Sequence, residues 1–271
     1  MNRTIFSAAT AISIALAGSA HAALLSDDFE NDTLGGLPDS PPWNGGTAVD
    51  SGSTLEVVAD AADVFGLGVT NQAVRLDDDA GGSSNLLLGA AGLGGSDVVT
   101  LSFDYFETDD SSLANDFFVI RLGQNDGSGD ANTIFDFQIN EGNITADSTS
   151  GDESVSNAYS SGEAVRFTIV ANNSTSSESY TGFGGTTTSV ASATADIYID
   201  GVLVFDDATS KDTVAAGNSF DTLRFLSFNF NQSPDVLIDN VLLVDGAVIP
   251  EPTSVAAVSL LGLCMLRRRQ H

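Results

Sequence analysis

Apolar and polar residues alternate with a period of two through most of this chain, in short runs separated by clusters of Gly, Asn, Asp and Ser. In Val99-Thr100-Leu101-Ser102-Phe103-Asp104-Tyr105 every odd position is apolar and every even one is polar. Successive side chains of a strand point to opposite faces, so such a run belongs to a strand with one dry face and one wet face. Similar runs cover 55–59, 73–77, 117–122, 133–139, 165–170, 195–200, 202–205, 223–230 and 236–244. Long amphipathic helix patterns are absent, and proline is almost absent from the runs, as central strands require. About ten strands without a break in composition predict an all-β fold, a single antiparallel two-sheet β-sandwich of jelly-roll type over residues 23–247. The polar stretch 148–161 leaves a two-domain division open, but the first and last strands read as partners and favour one domain. Residues 172–192 are rich in Ser, Thr and Gly, with Tyr180 and Phe183 as apolar anchors, and read as a long mobile loop or an extended hairpin tip.

Charge narrows the function. Residues 23–249 carry 36 acids against 5 bases, a net charge of −31. A polyanion is bound through clusters of Lys and Arg, so nucleic acid is excluded as a partner. His21, His271 and Cys264 all lie in the terminal segments. The body therefore lacks the residues for Ser-His-Asp and Cys-His catalysis, the usual zinc sites, haem ligation and disulfides.

Both ends read as addresses. Arg3, the apolar run 5–17 and then Gly18-Ser19-Ala20-His21-Ala22 have the three regions of a secretory signal over residues 1–22. They predict a signal helix with cleavage between Ala22 and Ala23. Residues 248–271 hold Pro250-Glu251-Pro252, an apolar stretch over 255–266 and then Arg267-Arg268-Arg269. Twelve helical residues span about 18 Å, well short of the hydrocarbon core of about 30 Å. The arginines would hold the end of this short hydrophobic helix on the cytoplasmic side. A marginal helix with a basic stop suits a segment held briefly in the membrane and then cut.

This three-part tail resembles the PEP-CTERM sorting signal. The resemblance implies that the chain is a substrate of exosortase, an integral-membrane transpeptidase of Gram-negative bacteria, in an exopolysaccharide or biofilm setting. It covers about the last two dozen residues and says little about the body. In the body, Asp196-Ile197-Tyr198-Ile199-Asp200-Gly201-Val202-Leu203-Val204 resembles the hairpin of concanavalin-like and laminin-G-like domains, with Asp-Gly supplying the turn. Asp27-Asp28-Phe29-Glu30, Pro41-Pro42-Trp43 and Leu237-Ile238-Asp239-Asn240-Val241 are similar to the first and last strands of secreted jelly-roll carbohydrate-binding modules.

That resemblance implies a structural Ca²⁺ held by Asp28, Glu30 and Asp239, an ion that needs six to eight oxygen ligands. The same acids read equally as strand-end turn formers or solvated charges. The loop 126–132 fails the EF-hand pattern, with Ala131 in place of the turn glycine and Phe137 in place of the bidentate Glu. Asp77-Asp78-Asp79 reads as a turn. Glycoside hydrolysis needs two carboxylates flanking one bond, and the nearest pair, Asp104 and Glu107, falls on opposite faces of a strand. Trp43, Tyr105, Tyr159, Tyr180 and Tyr198 are the aromatics of exposed type. Trp43, in a Pro-Pro-Trp-Asn-Gly-Gly loop, is the ligand-binding candidate, with capping one end of the sandwich as its other reading.

The expectation is a non-catalytic protein, exported across the inner membrane and sorted to the cell surface or extracellular matrix, with a glycan as partner. A calcium-bridged structural module is the alternative, and a polysaccharide-processing enzyme ranks behind both. Removing residues 250–271 should leave the fold intact and misroute the protein in cell fractionation. An unchanged distribution of the truncated chain would count against the sorting signal.

Overall fold

The computed structural model describes residues 21–39, 43–44, 53–78, 84–108, 117–125, 130–229 and 235–249. The signal helix, the tail helix, and Pro250, Glu251, Pro252, Arg267, Arg268 and Arg269 lie outside these residues. Sixteen strands run in chain order among the described residues. They are β1 (Ala23–Asp27), β2 (Ser53–Ala59), β3 (Gln72–Asp78), β4 (Ser84–Ala91), β5 (Val98–Glu107) and β6 (Phe117–Gly123), then β7 (Thr133–Asn140), β8 (Asn143–Ala146), β9 (Glu153–Val155) and β10 (Val165–Asn172). After them come β11 (Glu178–Thr181), β12 (Thr187–Val190), β13 (Thr194–Ile199), β14 (Val202–Thr209), β15 (Thr222–Asn229) and β16 (Val236–Asp245).

Two antiparallel sheets form the sandwich. The first has the order β14-β13-β10-β5-β16-β3-β2, with β1 also paired to β16, and the second has the order β4-β15-β6-β7-β8-β9. Strand β16 pairs with β5 along one side. Along its other side it pairs first with β3, through 236–238, and then with β1, through 241–244. The register against β5 slips between Asp239 and Leu242, and Asn240 takes a φ of +50° there. This is a β-bulge, which bends the strand and re-aims a side chain.

The alternation read from the sequence sorts the two faces. Val99, Leu101, Phe103 and Tyr105 of β5, and Val165, Phe167, Ile169 and Ala171 of β10, point into the core. Phe225 on β15 and Phe118 on β6 meet them from the second sheet, with ring centroids 5.3 Å from Phe225 to Phe103 and 5.8 Å to Phe118. Glu107 ends β5 at the core's edge and is almost wholly buried. Its carboxylate accepts hydrogen bonds from Tyr105 Oη at 2.9 Å and Tyr159 Oη at 2.8 Å. Burial raises its pKa, and these donors oppose the shift. Gly142 is required beside it: its φ is +81°, and a Cβ there would lie 2.4 Å from the carbonyl oxygen of Tyr159.

One expectation holds in one of its two forms and another needs correction. Residues 172–192, read as a mobile loop or an extended hairpin tip, contain an ordered hairpin, β11 with β12, in four-pair register. Tyr180 and Val190 anchor it on Val170 and Tyr198, forming a second small core on the outer face of the first sheet. Tyr105, Tyr180 and Tyr198 are buried, because each hydroxyl finds a partner and the rings can leave water without stranding a polar group. Phe225→Ala should destabilise the body by about 3–5 kcal/mol, the range for deleting a fully buried aromatic ring, measured by denaturant unfolding.

Candidate functional site

Functional groups collect on the outer face of the first sheet. Asp239 alternates with the core residues Val236 and Ile238 of β16 and so faces outward just ahead of the bulge, where it sits opposite Asp104 of β5 and is 1% exposed. Its Oδ2 accepts a hydrogen bond from Asn71 Nδ2 at 2.9 Å, and its Oδ1 accepts the backbone N–H of Asn240 at 2.6 Å. Burial pushes this carboxyl up to about 6, the donors pull against it, and the charges of Asp104 and Glu30 add to the rise. Glu30 is fixed by the backbone N–H of Gln72, which donates to its Oε1 at 2.7 Å. Asp104 in turn accepts from Asn240 Nδ2 at 2.8 Å and from Arg166 at 2.7 Å.

Of the three acids named for calcium, Glu30 and Asp239 thus share one electrostatic neighbourhood. Asp28 is exposed and lines a separate hollow with Arg166 and Asn240. Asp104, Asn71 and Asn240 complete the acidic cradle, and sequence reasoning did not assign them to it. The strand pairing that gathers them leaves no mark in a period-two pattern.

A second acidic group lies on the same face. Asp196, Asp206 and Asp207 bring carboxylate oxygens within 4.8 Å of one another, a spacing that could hold a metal ion. Asp196 is already served by Tyr180 Oη at 2.5 Å and by the N–H of Asp207 at 2.9 Å. The Tyr180 hydroxyl also meets that of Tyr198 at 2.7 Å. Burial and the neighbouring carboxylates raise the pKa of Asp196.

Between the β11–β12 hairpin and residues 246–249 runs a groove of about 860 Å³. The hairpin side supplies Glu178, Ser179, Thr181 and the half-buried ring of Phe183. The opposite wall is held down by Thr100, whose Oγ1 donates to Gly246 O at 2.9 Å and accepts the N–H of Val248 at 3.0 Å. His21 also lines the groove, its Nδ1 2.8 Å from Asp245 O. The Ala22–Ala23 junction is close by, since Ala22 O accepts the N–H of Asp245 at 3.0 Å and Ala23 pairs with Val244.

Trp43 is elsewhere and half-buried. Its Nε1 donates to Asp27 Oδ2 at 2.7 Å, and its ring stacks on Phe29 with centroids 6.0 Å apart, so it caps one end of the sandwich. Asp104 and Glu107 do fall on opposite faces, Asp104 outward and Glu107 at the core's edge.

No protein-family model and no curated protein sequence matches the chain. Solved structures share its fold. A carbohydrate esterase from the Shiga toxin-encoding bacteriophage phi24B matches with a TM-score of 0.51 at 16% identity, over 83% of this chain and 99% of its own. The cellulose-induced protein Cip1 matches with a TM-score of 0.51 at 11% identity, over 84% and 100%. A protein solved in connection with the endo-acting O-glycanases by which human gut bacteria begin mucin breakdown matches with a TM-score of 0.51 at 10% identity, over 83% and 100%. At these identities the likeness is one of architecture.

Because the folded pKa of Asp239 is above its unfolded value, the stability it contributes is fully present below about pH 4 and lost as pH rises through 6. Without divalent cations the melting temperature should fall between pH 5 and pH 7.5, and Asp239→Asn should flatten that fall. Differential scanning calorimetry of the two proteins checks both.

Proposed function

We propose that the chain is an exported, non-catalytic β-sandwich, delivered by an exosortase-type step to the cell surface or extracellular matrix of a Gram-negative bacterium, where it binds polysaccharide. The supporting observation is the groove beside β11 and β12. An aromatic ring at Phe183, the hydroxyls of Ser179 and Thr181 and the carboxylate of Glu178 line one wall, a mixture of apolar platform and polar groups that suits a sugar. Glu178 is its one carboxylate among the described lining residues, whereas glycoside hydrolysis uses two. Its one imidazole, His21, belongs to the segment that reads as removed on export. The carbohydrate esterase and the cellulose-induced protein that share the architecture favour the same substrate class.

The acidic cradle around Asp239 supports a second reading, a structural module stiffened or bridged by Ca²⁺. Hard oxygen donors suit that ion, and a cation there would relieve the repulsion among Glu30, Asp104 and Asp239. In this reading calcium takes the place of the proton that Asp239 holds below about pH 6.

A glycan array probed with and without EDTA separates the two. Discrete polysaccharide hits that Phe183→Ala weakens about tenfold, the loss of one stacking contact of about 1.4 kcal/mol, support the binding module. Silence across the array, with millimolar Ca²⁺ still raising the melting temperature at pH 7.5, supports the structural one. Release of reducing sugar or unsaturated uronate would overturn the non-catalytic assignment.

A further inference from the structure

The chain's single lysine, Lys211, is buried on the outer face of the second sheet. Its backbone is pinned there by a hydrogen bond from its N–H to Ile134 O at 2.8 Å. Its Nζ lies 2.5 Å from Asp147 Oδ2 and 3.2 Å from Asp136 Oδ2. The side chains of Lys211, Asp136 and Asp147 are 7%, 1% and 27% exposed. The backbones of the two aspartates are clamped together, the N–H of Asp147 donating to Asp136 O at 2.9 Å. Asp136 sits on β7 between the core residues Phe135 and Phe137 and therefore points outward. Arg121 donates to its Oδ2 through Nε and Nη2, both at 2.9 Å. Its Oδ1 is buried and has no hydrogen-bond partner among the described residues.

We infer that Lys211 and Asp147 condense within the folded chain to an isopeptide bond, with Asp136 as the proton carrier. An amine and a carboxyl held in contact by a rigid framework react with an effective concentration of about 10⁵ M or more. The Nζ–Cγ bond forms as the Cγ–Oδ2 bond of Asp147 breaks. Two of the three ammonium protons leave with that oxygen as water, one of them by way of the Asp136 carboxylate, whose Oδ2 accepts from Nζ at 3.2 Å, and the third stays on the amide nitrogen. The ammonium and carboxylate charges cancel, Asp136 is regenerated, and no oxidant, reductant or co-substrate is consumed.

Two features favour reaction over a simple ion pair. Desolvated charges are costly, and condensation removes Lys211 and Asp147 from the charge balance, leaving Asp136 matched to Arg121. Burial also raises the pKa of Asp136, against the pull of Arg121 and Lys211, which suits a group that must take up and release a proton. The bond would close the segment between Asp147 and Lys211, 64 positions apart. It would staple the connection that leaves β14 to the sheet that holds β7 and β8, in a body without cysteine.

A peptide map of the purified full-length chain tests this directly, independently of where the protein is delivered or what it binds. Denatured and digested with trypsin, the linked protein yields one branched species, 122–166 joined to 167–224, lighter than its parts by one water, about 18 Da. Lys211→Arg and Asp147→Ala, each shown to be folded by circular dichroism, should abolish it. Asp136→Asn should slow its formation about a hundredfold, the scale of a lost general base. Complete cleavage after Lys211 in the wild type, releasing free 212–224, overturns the bond. A branched product that forms at an unchanged rate in a folded Asp136→Asn protein overturns the role given to Asp136.

Discussion

Strand β16 is the seam on which the first sheet depends. One side of it is occupied by β5 along nearly its whole length, while the other is divided between β3 and β1. The division falls at the bulge around Asp239 and Asn240. The bulge bends the strand at the point where its edge passes from β3 to β1. Regular pairing sets Asp239 opposite Asp104 on the outer face, and Asn240, at the irregularity, donates to Asp104 beside it. The first and last strands of the body are hydrogen-bonded neighbours, and the sandwich is complete only when the final strand has been added.

The strand framework was legible in the sequence because water on one face and core on the other impose a period of two. All ten runs read from alternation are strands in the structure. The strands that escaped reading have their own reasons. Residues 84–91, Ser-Asn-Leu-Leu-Leu-Gly-Ala-Ala, do not alternate clearly, and β8, β9, β11 and β12 are three or four residues long. Site residues were less legible. Glu30 and Asp239 could be named from their place near the first and last strands, but Asp104 and Asn71 are brought beside Asp239 only by the fold, Asn71 across 168 positions of chain, and nothing in the sequence marks the turn of Asn240 toward Asp104. The tyrosines misled because a hydroxyl looks like a mark of the surface until its partner is known. Lys211 carried no pattern at all, and only its rarity set it apart.

The two outer faces differ in charge. The first sheet presents Asp104, Asp239 and Asp196, with Arg166 held by Asp104 and Arg75 by Asp77 and Asp235. The second carries Arg121, Arg224 and Lys211 around Asp136 and Asp147. Most of the scarce cations are thus spent inside the folded body, and the large remaining negative charge is left to solvent and counter-ions. Such a surface resists non-specific association and stays hydrated where polymers are crowded.

The antiparallel match of β1 to β16 has a mechanical consequence. A molecule tethered through the chain beyond residue 249 and dragged from the far end of the sandwich would be loaded lengthwise along β16. Its ladders to β5, β3 and β1 would then bear the strain side by side, as in a lap joint, rather than parting one rung at a time.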